Sequence, residues 1–275
     1  MSLIDVVTRL LLTAAIMLVV AGWLLVGPAR LREVRASLPT RLRVAAPFLA
    51  TLALVLVAEK VARDLGPEVS WVIGVNVTGL IYRIEGDLVA YVQSLATPEL
   101  TAYLSFVYLA GYVFLLVFPI VAYFALANPL PLKQTAVAYT ANYAVGLVCY
   151  VLFIAYGPRN LIPDAVDPLL YSTYPAVQLL TSEVNTNVNV FPSLHASLST
   201  TVAIMAYRTR DAYRGWFLLA TPLAASVALS TMYLGIHWAV DVVAGVLLGA
   251  ISVYLAETAL PSTEADEATG WGTPG

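Results

Sequence analysis

Two histidines are present in this 275-residue chain, and both sit among residues suited to chemistry. His195 lies in Asn189-Val190-Phe191-Pro192-Ser193-Leu194-His195-Ala196-Ser197, and His237 in Ser230-Thr231-Met232-Tyr233-Leu234-Gly235-Ile236-His237-Trp238-Ala239-Val240-Asp241. Each stretch borders a long apolar run, where an ionisable side chain is costly to keep and its presence argues for a function. His237 and Asp241 stand four residues apart, the spacing of neighbours on one helix face. A carboxylate there can accept the Nδ1 proton and leave Nε2 free as a nucleophile. The other histidine then makes an acid or base available in the same place.

The neighbours extend this chemistry to anions. Proline suits the first turn of a helix, so Pro192 predicts a helix start with the amides of Ser193, Leu194 and His195 at its water-facing end. Such an end favours phosphate. Arg159, in Tyr156-Gly157-Pro158-Arg159-Asn160, offers a planar fork for phosphoryl oxygens. Each residue also has a plainer reading. A single histidine at a span end can serve as an interfacial hydrogen-bonder, and a single arginine as a headgroup anchor. Ser193, Ser197 and Ser230 fit small-residue helix contacts. Tyr108, Tyr112 and Tyr123 read as packing and belt aromatics rather than ligands. The two histidines together with Asp241 are what favour the catalytic reading.

The elements that must position these residues are membrane helices. The chain is 60% hydrophobic and 11% charged, with a mean hydropathy of +0.82, outside the range of soluble domains. Crossing ~30 Å of hydrocarbon takes about 20 residues, and seven apolar runs are candidates: residues 5–27, 45–64, 100–127, 135–156, 191–208, 215–234 and 236–257. The expected fold is an all-α polytopic bundle of six to seven transmembrane helices. The stretch from Val69 to Thr97 mixes apolar residues with Arg83, Glu85 and Asp87, and is expected to be interfacial or re-entrant. The organisation expected is N-terminal spans with an arginine-rich loop over 1–65, the interfacial segment over 66–99, a catalytic membrane domain over 100–258 and a disordered acidic tail over 259–275.

Orientation follows from the basic residues. Arg30, Arg32, Arg35, Arg41 and Arg43 lie between the first two runs, Lys133 before the fourth, and Arg208, Arg210 and Arg214 after the fifth. These nine of fourteen Lys and Arg residues fall on one side if the runs alternate, and that side is cytoplasmic by the positive-inside rule. Arg159, His195 and His237 then share the extracytoplasmic face of a cell membrane. Arg9 inside the first run, with no small-residue cleavage pattern, argues for a retained anchor. The single Cys149 builds neither a disulfide framework nor a thiolate cluster, and a net charge of −3 carries no nucleic-acid footprint. No solenoid-type repeat is visible. The long polar linker near the candidate site runs from Pro158 to Val190.

Pro192-Ser193-Leu194-His195 followed by Ser230, six residues, His237, three residues and Asp241 resembles the type 2 phosphatidic acid phosphatase superfamily, over about residues 130 to 257. Arg159 matches the arginine of that family's first motif. Leu152 stands where a lysine would, Asn160 where a proline would, and Thr231 where the third motif has arginine. The Phe-Pro-Ser-Leu-His-Ala wording is similar to the branch containing inositol phosphorylceramide synthases. The resemblance implies a six-helix phosphatase-type core in which His237 attacks phosphorus, Asp241 orients it and His195 protonates the departing oxygen. It also implies that Arg159, the amides near Ser193 and Ser230 hold the phosphoryl oxygens. The substrate implied is a lipid phosphoester, with water or an alcohol as acceptor, and no metal or other cofactor is required. Two missing cations fit a phosphodiester better than a dianionic monoester. Two other classes are open on the residues alone: a metal-dependent hydrolase with His195, His237 and Asp241 on zinc, and a transporter, which would place ionisable residues nearer the bilayer midplane.

Overall fold

The computed structural model describes residues 3–178, 190–262 and Trp271. It is an all-α membrane bundle. The α-helices are α1 (Leu3–Ala21), α2 (Pro28–Ile73), α3 (Thr78–Glu85), α4 (Leu88–Ser94), α5 (Pro98–Phe106), α6 (Tyr112–Phe124), α7 (Leu130–Leu152), α8 (Pro158–Leu161), α9 (Leu169–Thr173), α10 (Leu194–Arg208), α11 (Arg214–Tyr233) and α12 (Ala239–Ala259). Single π-helical turns extend α1 over Gly22–Val26 and join α5 to α6 over Val107–Gly111. A two-residue parallel pair, β1 (Val75–Asn76) with β2 (Phe153–Ile154), ties the chain after α2 to the end of α7.

Among the described residues six helical stretches are long and apolar enough to cross a membrane: Leu3–Val26, Pro28–Val61, Pro98–Phe124, Leu130–Leu152, Arg214–Tyr233 and Ala239–Ala259. The fifth apolar run, expected as a span over 191–208, is the shorter helix α10. Its 15 residues rise only about 22 Å. It packs on α6, α7, α11 and α12 at the centre of the bundle, where protein rather than lipid sets the length that is needed.

The arginine-rich segment expected as a loop is not one. Pro28 opens α2 at its N-terminus, and a single helix runs 46 residues through Arg30, Arg32, Arg35, Arg41 and Arg43. Arginine, leucine and alanine are strong helix formers, and proline is tolerated at the first position, so a polar composition here does not break the helix. Tertiary bonds add to this. Arg41 donates to the carbonyls of Phe124 (2.7 Å) and Leu126 (2.6 Å) at the end of α6, and Arg30 donates to the carbonyl of Ala212 and lies 4.7 Å over the Tyr213 ring. The stretch from Val69 likewise begins inside α2 and continues as the short helices α3 and α4.

Helices α10 and α12 meet backbone to backbone. A β-carbon added to Gly245 would lie 2.3 Å from the Ser193 carbonyl oxygen, and one on Gly249 2.3 Å from that of Ser197. The spacing Gly245-x-x-x-Gly249 puts both glycines on one face, a small-residue pattern that permits such close approach between membrane helices. Of the tail expected to be disordered, 263–270 and 272–275 lie outside the described residues. Trp271 is packed: it is buried, donates its indole N–H to the Leu126 carbonyl (2.6 Å), and sits under the Arg41 guanidinium. Residues 179–189 of the polar linker also lie outside the described residues.

Candidate active site

The site forms where α10 and α12 begin and where α7 and α11 have just ended. Ser193 is the N-cap of α10: its hydroxyl accepts from the Ala196 amide (3.4 Å), and its own amide donates to the Asp241 carbonyl (3.0 Å). Pro192 therefore precedes the cap rather than occupying the first turn, which leaves Leu194 and His195 as the first two helical residues. His195 is partly exposed and lies against two aromatic rings, Tyr108 at 4.6 Å and Tyr112 at 4.3 Å between centroids. Both tyrosines come from the π-helical junction of α5 and α6, the kind of local bulge that recurs at functional sites. They are packing aromatics, as expected, and what they pack against is the His195 ring. No spacing rule joins residues 108 and 112 to residue 195, and the pairing exists only in the tertiary fold.

His237 does not lie on a helix face with Asp241, as the four-residue spacing suggested. It precedes Trp238, the N-cap of α12, and Asp241 is the third residue of that helix. Asp241 Oδ2 accepts the Trp238 amide at 2.9 Å and stands 3.5 Å from His237 Nδ1. The carboxylate thus caps its own helix and faces the imidazole from the same oxygen. At 3.5 Å the imidazole contact is longer than a formed hydrogen bond, and catalytic hydrogen bonds often tighten only when substrate is bound. His237 is 5% exposed and Asp241 fully buried. The turn before them is built on Gly235, whose φ of +71° favours glycine, and it returns the Ile236 and His237 amides to the Thr231 carbonyl.

Arg159 enters from the chain after α7. Its amide donates to the Gly235 carbonyl (3.2 Å), its Nη2 donates to the Tyr171 hydroxyl (3.1 Å), and its guanidinium lies 4.7 Å over the Tyr171 ring. Gly157 makes this approach possible, since a β-carbon there would be 2.4 Å from the Ile236 carbonyl oxygen. The Trp238 indole N–H donates to the Tyr156 carbonyl (2.8 Å) and binds the same two segments together.

The structure brings His195, His237, Asp241 and Arg159 to one end of the bundle. The His195 and His237 ring centroids are 6.2 Å apart. Arg159 Nη1 is a buried donor lacking a hydrogen-bond partner. The two serines are placed differently from expectation. Ser193 is fully buried, with its amide and hydroxyl both engaged in backbone bonds. Ser230 is fully buried in α11 and donates its hydroxyl to the Val227 carbonyl (2.7 Å). Capping and helix packing account for both in this conformation. Among the described residues no group of three or more His, Cys, Asp or Glu side chains is arranged to hold a metal ion.

Glu85 is a further component that the sequence did not single out. Its Oε2 accepts the Val240 amide (3.0 Å) at the first turn of α12, while Oε1 is buried and has no hydrogen-bond partner. Burial chiefly pushes its carboxyl above the ordinary value; bonds from the Ala239 and Val240 amides oppose the rise, and the nearby Asp241 charge adds to it.

A bundle of membrane helices with two histidines, a buried aspartate and an arginine brought together defines an integral membrane protein with a cluster of ionisable groups at one end of its helices. The PAP2 superfamily model matches residues 83–255, more than half of the chain and the whole of this site, and the chain belongs to that superfamily. Membership supports a phosphatase-type enzyme. No curated protein and no solved structure matches the chain.

Proposed function

We propose that the protein is a lipid phosphotransferase or phosphatase working through a phosphohistidine. The observation that carries this reading is the approach of the His195 and His237 rings, 6.2 Å between centroids, with a buried carboxylate facing one ring and an unpartnered donor on Arg159, whose amide is bonded to the turn before His237. Two imidazoles this close can address one phosphoryl group, one ring attacking phosphorus while the other serves the departing oxygen.

In this scheme Nε2 of His237 forms the bond to phosphorus. Asp241 accepts a hydrogen bond from Nδ1–H, which keeps its proton, and stabilises the charge that develops on the ring. His195 gives its proton to the leaving oxygen as the ester bond breaks, and Arg159 Nη1 holds a non-bridging oxygen. His195, now neutral, takes the proton from water or an alcohol, which attacks phosphorus and frees His237. The Leu194 and His195 amides at the start of α10 add positive potential where charge accumulates.

The site opens at the extracytoplasmic face: Arg30, Arg41 and Arg208 lie at the opposite end of the bundle, and arginine marks the cytoplasmic side. A single cysteine at position 160, in a Cys149→Ala background, reads this sidedness. Labelling of Asn160→Cys by an impermeant thiol reagent in intact cells is expected, and labelling only in inverted vesicles would reverse the topology.

The sparse cation set, one arginine where the family motifs offer more, favours a diester lipid donor, which carries a single charge, and an alcohol acceptor. That is the chemistry of the phosphorylceramide synthase branch which the sequence resembles. Comparing membrane lipids from cells with and without the protein by mass spectrometry, then assaying purified protein on monoester and diester lipids, tests this. A new transferred-headgroup lipid is the expected result; fast hydrolysis of phosphatidic acid with no transfer overturns the substrate preference.

A further inference from the structure

A cavity lies outside the site, between α1, the α5–π junction and the chain after α9. Its volume is about 390 Å³, within the range of ligand-binding pockets, and its walls include Leu10, Leu109, Ala110, Pro175 and Val177. Among the described residues the one charged side chain lining it is Arg9. Arg9 sits in a helix that is long and apolar enough to span the membrane, where a cation is a functional signal by default. Asp5, one turn earlier, does not line the cavity, and neither does any other carboxylate of the described residues.

The cavity shares its walls with the active site without opening on the reacting groups. Leu109 and Ala110 fall between Tyr108 and Tyr112, the two rings on His195, and Tyr171 on α9 holds Arg159 while Thr173, at the end of the same helix, lines the cavity. Val6 and Val177 continue the lining into the buried cluster that contains Tyr108. An apolar slot inside a membrane, with a single cation, matches an amphiphile of opposite charge. We propose that it binds an anionic phospholipid, one hydrocarbon chain in the slot and the headgroup phosphate on Arg9, separate from the lipid that reacts at His237.

Photolabelling the purified full-length protein with phosphatidylglycerol carrying a diazirine in its acyl chain tests this. Label is expected on the peptides containing Leu10 and Leu109, with much weaker label from phosphatidylcholine carrying the same chain. Arg9→Gln should raise the concentration of unlabelled phosphatidylglycerol needed to compete by about fivefold, the effect of one cation near an anionic lipid surface. Leu10→Trp, on the α1 wall, should suppress the label by filling the slot. Equal labelling by both lipids that Arg9→Gln leaves unchanged overturns the proposal. So does displacement of the label by a lipid that is turned over at His237, since the slot would then hold the chain of the reacting lipid. The readout is binding, so it stands or falls independently of phosphotransfer.

Discussion

The Ser193 amide donates to the Asp241 carbonyl across 3.0 Å, so the cap of the helix that carries His195 is bonded to the first turn of the helix that carries the aspartate. The distance between the two histidines is thereby set by backbone, through two residues that cap their own helices. Gly245 lies one turn further along α12 and lets the helices close to that separation.

The covalent step gives the first prediction. His237→Ala abolishes turnover and phosphoenzyme formation, whereas Asp241→Asn, which leaves the ring in place but wrongly supported, lowers kcat by about 10²- to 10⁴-fold. Rapid quench with phosphorus-labelled lipid, followed by peptide mapping, measures both. Label recovered on His195 would reverse the assigned roles.

Because the histidines act directly on phosphorus in this scheme, strong chelators leave activity unchanged. Vanadate, which mimics the five-coordinate phosphorus state, inhibits. Activity lost in chelator and restored by zinc would favour a metallohydrolase.

Tyr108 and Tyr112 hold the His195 ring by aromatic contact. Removing one such contact costs about 0.5–1.5 kcal/mol. Tyr108→Leu and Tyr112→Leu are therefore expected to lower kcat by about two- to tenfold with little change in KM, and the phenylalanine variants to keep most of the activity. Phenylalanine variants as slow as the leucine variants would show that the hydroxyls matter instead.

Gly245→Ala pushes a methyl group into the Ser193 carbonyl. Overpacking of this kind costs about 1–3 kcal/mol, and here it also stretches the Ser193–Asp241 bond. A lower melting temperature with a disproportionate loss of kcat is the expected pair of results. Val243→Ala, an exposed change on the same helix, serves as the control and should alter neither.

Glu85 makes stability depend on pH. Its folded-state carboxyl titrates above its ordinary value of 4.5, so the folded protein holds the proton more tightly than the unfolded chain does. The stabilisation from this group is complete below about 4.5 and is lost as pH rises through the raised value. Glu85→Gln keeps an acceptor for the Val240 amide and should flatten that part of a melting-temperature profile against pH. Glu85→Ala loses the cap as well, and should cost about 1 kcal/mol at low pH and less as pH rises through the raised value. A glutamine variant with the same pH slope as the wild type would remove Glu85 as the source.

The sequence by itself determined the solvent, the all-α bundle and the residues that gather at one end of it, His195, His237, Asp241 and Arg159. Composition cannot hide a membrane protein, and a motif such as His237–Asp241 keeps its members close because a few covalent bonds join them. Arg159 was reached from sequence too, through its position after a span. The tertiary structure decided what surrounds them. Whether residues 28–43 form a loop or a helix turned on Arg41 reaching the carbonyls of Phe124 and Leu126. Glu85 caps a helix 155 residues away, and Tyr108 and Tyr112 meet His195 across a similar absence of sequence signal. The reason is physical: in a bundle whose core and solvent are both apolar, hydrophobic periodicity no longer marks the inward face. Partners are then chosen by close packing and by hydrogen bonds that form only once the helices have met.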